Sequence, residues 1–167
     1  SLLTESLNQI EEVNKIEVDV EGNFWIVNNL SELWYIYTKQ NEAIKYELHN
    51  HGAEIYSIHY TNNDNLWLAS HGNGAICIQV NKGIINKLTE ENGLSSNVVR
   101  AISSDQQGNI WFGTELGLSI YHPESHKLSY AKHNPYNENS LADNAVYCIY
   151  PDENNRIWIG TFFNGVS

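Results

Sequence analysis

Basic side chains are scarce in this sequence. There are 9 Lys and Arg residues against 20 Asp and Glu, which gives a formal net charge of −11 over 167 residues. Proteins that bind nucleic acid hold the phosphate backbone with clustered Lys and Arg, and here those residues are few and scattered. This charge balance argues against nucleic acid as a partner.

Long apolar runs are also missing. The chain contains no unbroken apolar stretch of the roughly 18 residues that a membrane span requires. Hydrophobic residues nevertheless make up 41% and charged residues only 17%, which is too apolar for a disordered chain. Residues 1–5 lack a basic region followed by an apolar stretch, so we expect any export signal to be removed or to lie outside this sequence. We predict a soluble, acidic, globular domain with one core.

Cysteine is rare as well. Only Cys77 and Cys148 occur, far apart in the sequence and each inside an apolar segment. Neither belongs to a CxxC pair of the kind found in metal sites. We predict that both are buried thiols that pack as small hydrophobic side chains, in preference to a disulfide or a catalytic thiol.

A repeat runs through the whole chain. Each unit has an isoleucine nine residues before a tryptophan, a β-branched aliphatic residue twelve before it, a turn-forming residue three before it, and apolar residues on both sides. Six residues before the tryptophan, three units have aspartate and the second has Thr61. A fixed period of this length indicates a repeat architecture. The four tryptophans lie 42, 44 and 47 residues apart, at Trp25, Trp67, Trp111 and Trp158.

Each unit divides into short strands separated by turns, most clearly in the third. Residues 98–103 and 110–114 are predicted strands, Gly117 opens a third at 118–121, and a fourth begins near 127. Four antiparallel strands in about 40 to 45 residues are typical of a β-propeller blade, whose first strand lines the central axis. The predicted fold is therefore all-β, an incomplete propeller ring of about three and a half blades. We place the blades at about 1–50, 51–92, 93–137 and 138–167, the last one truncated.

The repeated residues have structural explanations. We interpret the tryptophans as wedges that fill the gap between adjacent twisted blades, in preference to ligand-stacking platforms. The repeated aspartate is predicted to cap its turn by accepting backbone N–H groups. Because three and a half blades do not close a ring, both ends expose apolar faces that further chain or another copy must cover. We expect self-association, with a homodimer of about seven blades as the hypothesis.

The third and fourth units share a recognisable motif. It consists of residues 93–99 (GLSSNVV), 108–114 (GNIWFGT) and 117–118 (GL), which return as residues 140–146 (SLADNAV), 157–161 (IWIGT) and 165–166 (GV). This pattern resembles the two-component regulator propeller repeat of the extracytoplasmic sensor regions of hybrid two-component histidine kinases of Bacteroidetes.

The resemblance implies a periplasmic piece of an inner-membrane receptor, whose propellers precede a membrane span and cytoplasmic kinase modules. It implies an oligosaccharide ligand, with no cofactor and no catalysis in this chain. One alternative is a scaffold propeller that binds another protein through its rim or end faces. A second alternative is a hydrolase or lyase, but the sequence offers no pair of carboxylates that can be placed together.

A ligand surface on a propeller is expected where loops vary while strands repeat. The loops between second and third strands and the connections between blades share one rim. They carry Asn, Glu, His and aromatic residues, which hydrogen-bond sugar hydroxyls or stack on sugar rings. Arg100, within a predicted first strand, is expected to form a salt bridge with a neighbouring acid, the alternative being an anionic ligand. The candidate ligand-binding residues are His71, Asn73, Arg100, Glu115, Tyr136, Phe162 and Phe163.

Seven histidines raise the question of a metal site. His49 and His51 are spaced to project to one side, but the other five belong to different units or to exposed turns. A metal site needs three or four converging ligands, so we predict none here.

Overall fold

The computed structural model describes residues 8, 10, 12–48, 53–61 and 63–167. Within them, strands form three four-stranded antiparallel sheets in simple up-and-down order and one two-stranded sheet, which we call blades 1 to 4. No helix in these residues is long and apolar enough to cross a membrane.

Blade 1 contains β1 (Val13–Val18), β2 (Phe24–Asn28), β3 (Leu33–Tyr37) and β4 (Glu42–Tyr46). Blade 2 contains β5 (Ile55–Tyr60), β6 (Asn65–Ser70), β7 (Ala75–Gln79) and β8 (Gly83–Leu88). A short 3₁₀ turn, Glu90–Asn92, leads into blade 3, which contains β9 (Val99–Ser104), β10 (Ile110–Thr114), β11 (Gly117–His122) and β12 (Lys127–Ala131). Blade 4 contains β13 (Val146–Pro151) and β14 (Ile157–Thr161).

The all-β propeller prediction is confirmed. The first strands of successive blades, β1, β5, β9 and β13, contact one another in order, as strands around a central axis do. The third strand of blade 4 begins as a single bridge between Gly160 and Val166, so about three and a half blades are present and the ring is open. Separate apolar cores lie between blades 1 and 2, between blades 2 and 3, and between blades 3 and 4.

The repeated tryptophans differ in burial. Trp25 is 0% exposed and Trp67 is 3% exposed, because each packs against the next blade. Trp111 is half-buried against blade 4. The wedge interpretation is wrong for Trp158, which is 41% exposed. Its face of β14 has no neighbouring blade in the described chain, so the same repeat position lies at the surface.

The two cysteines also differ in burial, for the same reason. Cys77 is buried in β7, and burial raises the pKa of its thiol to about 12, so it is an unreactive core side chain. Cys148 is exposed, contrary to the prediction. It lies in β13, next to Gly160 and on the same outer face as Trp158.

The repeated aspartates cap their turns as predicted. One carboxylate oxygen of Asp19, Asp105 or Asp152 accepts backbone N–H groups from the residues two and four positions later, at 2.9 to 3.0 Å. The other oxygen of Asp105 and of Asp152 accepts the indole N–H of the same blade's tryptophan, at 2.9 and 3.1 Å. In blades 3 and 4 the aspartate therefore ties the turn to the tryptophan of its own blade, whereas in blade 1 the second oxygen of Asp19 accepts the hydroxyl of Tyr35.

Replacing Asp105 by asparagine should lower the free energy of unfolding by about 1–2 kcal/mol near pH 7, because an amide N–H₂ then faces the donors of Asn109 and Trp111. Burial alone would raise the pKa of Asp105, but the hydrogen bonds from Asn109 and Trp111 outweigh it and hold the pKa below its ordinary value. The contribution of the carboxylate is therefore present above the unfolded-state pKa of about 3.9 and is lost as the pH falls below it.

Urea unfolding of both proteins at pH 7 and near pH 3 measures this effect. The exposed Glu124→Gln variant is the control for the loss of one charge. A difference between wild type and variant that is the same at both pH values would count against the carboxylate as the cause.

Candidate functional site

Every first strand has a β-bulge at the same place. The pairing of first and second strands skips one residue per blade, and a skipped residue leaves the ladder so that its side chain is redirected. In blades 2 to 4 this side chain contacts the loop between the second and third strands, on one rim of the propeller. The skipped residues are Asn14, Tyr56, Arg100 and Tyr147.

The loop after the second strand supplies a matching position. In each blade, the first residue after this strand donates its backbone N–H to the carbonyl of the residue two before the bulge, at 2.8 to 3.2 Å. This bond places the loop residue beside the bulge residue in all four blades. The loop residues are Asn29, His71, Glu115 and Phe162. We call the six bulge and loop residues of blades 2 to 4 the rim cluster: Tyr56, His71, Arg100, Glu115, Tyr147 and Phe162.

Arg100 joins the three blades at the centre of the rim cluster. Its Nη2 and Nε lie 2.6 and 2.7 Å from Oε1 of Glu115, which confirms the predicted salt bridge. Its guanidinium carbon lies 4.3 Å from the ring centroid of Tyr56 and 4.9 Å from that of Tyr147. The Tyr147 hydroxyl also donates to the same Glu115 oxygen, at 3.3 Å.

Aromatic rings extend the cluster on both sides of Arg100. Tyr56 stacks on His71 with ring centroids 5.5 Å apart. On the other side, Tyr147 packs against Phe162 at 5.0 Å, and Phe162 meets Phe163 edge-on at 4.6 Å. Phe162 and Phe163 are 58% and 76% exposed, so both rings face solvent at the rim.

The charges of the cluster are balanced internally. Burial alone would lower the pKa of Arg100, but the hydrogen bond with Glu115 and the neighbouring tyrosines outweigh it and raise the pKa. The guanidinium is therefore charged at any physiological pH and is already paired with a carboxylate. The site offers polar groups between exposed rings without a net charge of its own, which suits a neutral ligand with hydroxyl groups and apolar ring faces.

The structure brings five of the predicted residues together and leaves two apart. His71, Arg100, Glu115 and Phe162 belong to the rim cluster, and Phe163 packs on its end. Asn73 belongs to the His71 loop but lines a small pocket of about 70 Å³ at the boundary of blades 1 and 2. Tyr136 is 96% exposed in the connection after β12. The histidine pair His49 and His51, in the connection between blades 1 and 2, lies outside the described residues.

Sequence reasoning missed Tyr56 and Tyr147. Their position directly follows the repeated aliphatic residue of the first strand, and it is occupied by a different chemistry in almost every unit. A variable position between repeated ones could have pointed to it. Only the strand pairing shows that these residues are bulges and therefore reach the rim.

A second set of polar side chains lies along the first strands of the blades. His59 Nε2 is 2.8 Å from Ser104 Oγ, and His59 Nδ1 is 3.9 Å from a carboxylate oxygen of Glu17. Burial lowers the pKa of His59 and raises that of Glu17, so the histidine is neutral at pH 7 and the contact is not a full ion pair. Among the described residues no three His, Cys, Asp or Glu side chains are grouped so that they could hold a metal ion.

The fold and the rim define a class of protein. The chain is a segment of a β-propeller whose repeated positions build the blades and whose variable positions meet at one rim, where propellers present binding loops.

The sequence match is more specific. The model of the two-component regulator propeller family matches residues 93–115 and 140–163, so the third and fourth blades carry this repeat and the resemblance is confirmed. No curated protein matches the chain in sequence.

Solved structures are also similar to this chain. The chain is similar to the extracellular domain of a hybrid two-component system from B. thetaiotaomicron, with 28% identity and a TM-score of 0.72 over 90% of this chain and 20% of that one. A second such domain from B. thetaiotaomicron matches with 20% identity and a TM-score of 0.75 over 93% of this chain and 21% of that one. The chain thus spans about a fifth of both extracellular domains.

An enzyme shares the fold. Virginiamycin B lyase from Staphylococcus aureus, solved as an inactive variant with quinupristin, matches with 20% identity and a TM-score of 0.71. The match covers 96% of this chain and 56% of the lyase. At this identity the likeness shows the fold alone.

Proposed function

We propose that this chain is part of the periplasmic, ligand-sensing propeller of a membrane-anchored hybrid two-component receptor, and that its rim cluster binds a neutral oligosaccharide. The likeness to an extracellular receptor domain at 28% identity supports the receptor class. The single observation that carries the ligand is the rim cluster itself, in which exposed rings flank a paired Arg100 and Glu115.

The composition of the cluster favours sugars over other ligands. Sugars present hydroxyl groups at their edges and apolar C–H faces, which match polar side chains and aromatic rings respectively. An anionic ligand is disfavoured, because Arg100 is already paired with Glu115 and the chain carries a net charge of −11. Blades 2 to 4 contribute side by side, so the surface suits several linked sugar units.

Calorimetric titration with a panel of neutral oligosaccharides tests this proposal. We expect saturable binding of one of them, and a roughly 10- to 100-fold weaker affinity in Arg100→Gln, since a hydrogen bond to a charged group contributes about 1.5–3 kcal/mol. Phe162→Ala should also weaken binding. Tyr136→Ala, which removes an exposed ring outside the cluster, is the matched control and should bind like wild type. No binding across the panel, or equal affinity in all three variants, would contradict the proposal.

A second candidate function is assembly through the two end faces. On blade 4, Tyr150 is 64% and Trp158 41% exposed, and on blade 1, Ile16 is 54% and Val18 49% exposed. Apolar faces of this kind are normally covered in soluble proteins. In this candidate, two copies of the chain associate through these faces and the propeller acts as a scaffold.

Light scattering over a range of protein concentrations separates the two candidates. The scaffold candidate requires a dimer that Trp158→Lys dissociates, together with silence across the oligosaccharide panel. A monomer at every concentration contradicts it. Release of cleavage products from the same panel would instead indicate a hydrolase or lyase.

A further inference from the structure

A cleft of about 490 Å³ opens between blades 2 and 3 on the rim opposite the rim cluster. The turns between β5 and β6, between β9 and β10, and between β11 and β12 surround it. Its volume is in the range of small-molecule sites, about 300–1,000 Å³. The side chains that matter for its chemistry are Thr61, Asn65, Trp67, Cys77, Tyr121 and His126.

The cleft exists because blade 2 departs from the pattern of blade 1 at two neighbouring positions. Opposite its tryptophan, blade 1 has Tyr35, whereas blade 2 has Cys77. Six residues before its tryptophan, blade 1 has Asp19, which accepts a hydrogen bond from the Tyr35 hydroxyl. Blade 2 has Thr61 at this position. Two large, mutually bonded side chains are therefore replaced by two small ones, and in blade 2 the cleft adjoins these two positions.

Blade 2 also has a buried polar atom without a partner. In blades 1 and 3 the asparagine four residues after the aspartate donates its side-chain amide to that aspartate, at 3.1 and 2.8 Å. In blades 1 and 3 the Oδ1 atom of this asparagine is bonded as well, to the backbone N–H of Thr38 and to His122 Nδ1. In blade 2 the buried Oδ1 of the corresponding Asn65 has no hydrogen-bond partner. A buried acceptor without a donor is unfavourable, so a ligand that brings an N–H or O–H group here gains a bond the protein cannot make itself.

The lining favours a neutral ligand. Asp105 is its single acidic residue, and both of its oxygens already accept bonds from the turn and from Trp111. Amides and hydroxyls supply most other polar groups. Trp67 and Tyr121, with ring centroids 5.7 Å apart, form an apolar wall.

We propose that this cleft is a second binding site, separate from the rim cluster, for a neutral hydroxylated ring compound the size of a monosaccharide. A hydroxyl group of the compound donates to Asn65 Oδ1, and its ring lies in the cleft beside Ile85, whose side chain is 45% exposed. The site does not depend on the proposed function, because it lies on the other rim and is built by blades 2 and 3 alone.

The indole N–H signals of protein labelled with ¹⁵N-tryptophan report on the cleft directly. The chain has 5 tryptophans, and Trp67→Phe identifies the signal of Trp67. The probes are D-glucose, D-galactose and N-acetylglucosamine, each titrated to tens of millimolar. We expect one of them to shift the Trp67 signal saturably.

Two variants decide whether the shift comes from the cleft. The double variant Thr61→Asp with Cys77→Tyr rebuilds the blade 1 arrangement, and it should reduce the affinity at least tenfold while the melting temperature is kept or raised. Asn65→Leu should weaken binding without filling the cleft. Arg100→Gln, in the rim cluster, should leave the Trp67 shift unchanged, so failure here and failure at the rim cluster are distinguishable. The absence of any shift, or a shift that persists in the double variant, would overturn the proposal.

Discussion

Trp25→Ala should lower the free energy of unfolding by about 3–5 kcal/mol, the range for removing a large buried aromatic side chain. Trp25 is fully buried between blades 1 and 2, with ring centroids 4.5 Å from Tyr35 and 5.2 Å from Tyr46. Its removal leaves a cavity that two rigid sheets cannot close. Urea unfolding followed by circular dichroism measures the loss.

Trp158→Ala is the matched control, because it removes the same side chain at the same position of the repeat. Trp158 is 41% exposed, so we expect a loss of only about 1 kcal/mol. Equal losses in the two variants would show that the tryptophan acts within its own blade, and not as a wedge between blades.

The second large effect is expected at Gly74, in the loop between β6 and β7. Its φ is +72°, a conformation that side chains rarely adopt, and an added Cβ would overlap the backbone carbonyl oxygen of Leu88. Strain and overlap together should make Gly74→Ala about 2–4 kcal/mol less stable than wild type. The same unfolding measurement tests this value.

Gly72 provides the comparison within the same loop. Its φ is +94°, but an added Cβ would meet nothing within 4 Å. Gly72→Ala should therefore cost only the conformational strain, about 1 kcal/mol. If both variants lose the same free energy, the close approach to Leu88 does not limit this position.

The rim cluster shows how far sequence reasoning reached towards a site. His71, Arg100, Glu115 and Phe162 could be predicted because they lie in loops or strands at positions that vary between units. Their assembly could not be predicted, since it depends on a bulge that shifts the strand pairing by one residue and turns Tyr56, Arg100 and Tyr147 to one rim. Strand propensity does not distinguish a bulged residue from a paired one.

The cleft between blades 2 and 3 was hidden for a related reason. The substitution of aspartate by Thr61 is visible in the sequence, but nothing in the sequence shows that Cys77 lies beside it. That the two positions adjoin, and that blade 1 fills the same space with Asp19 and Tyr35, follows from the pairing of β6 with β7 and of β2 with β3.

By itself the sequence determined the blade, its repeat and its turn caps, because these depend on contacts between residues close along the chain. A strand, a turn and a tryptophan recur at fixed spacing, and each aspartate bonds within six residues of itself. The tertiary structure alone decided which copies of each repeated residue are buried. Trp25 and Trp158 occupy the same position of the motif, and only Trp25 has a neighbouring blade to pack against. Burial is a property of what lies across the interface, and the local sequence does not contain it.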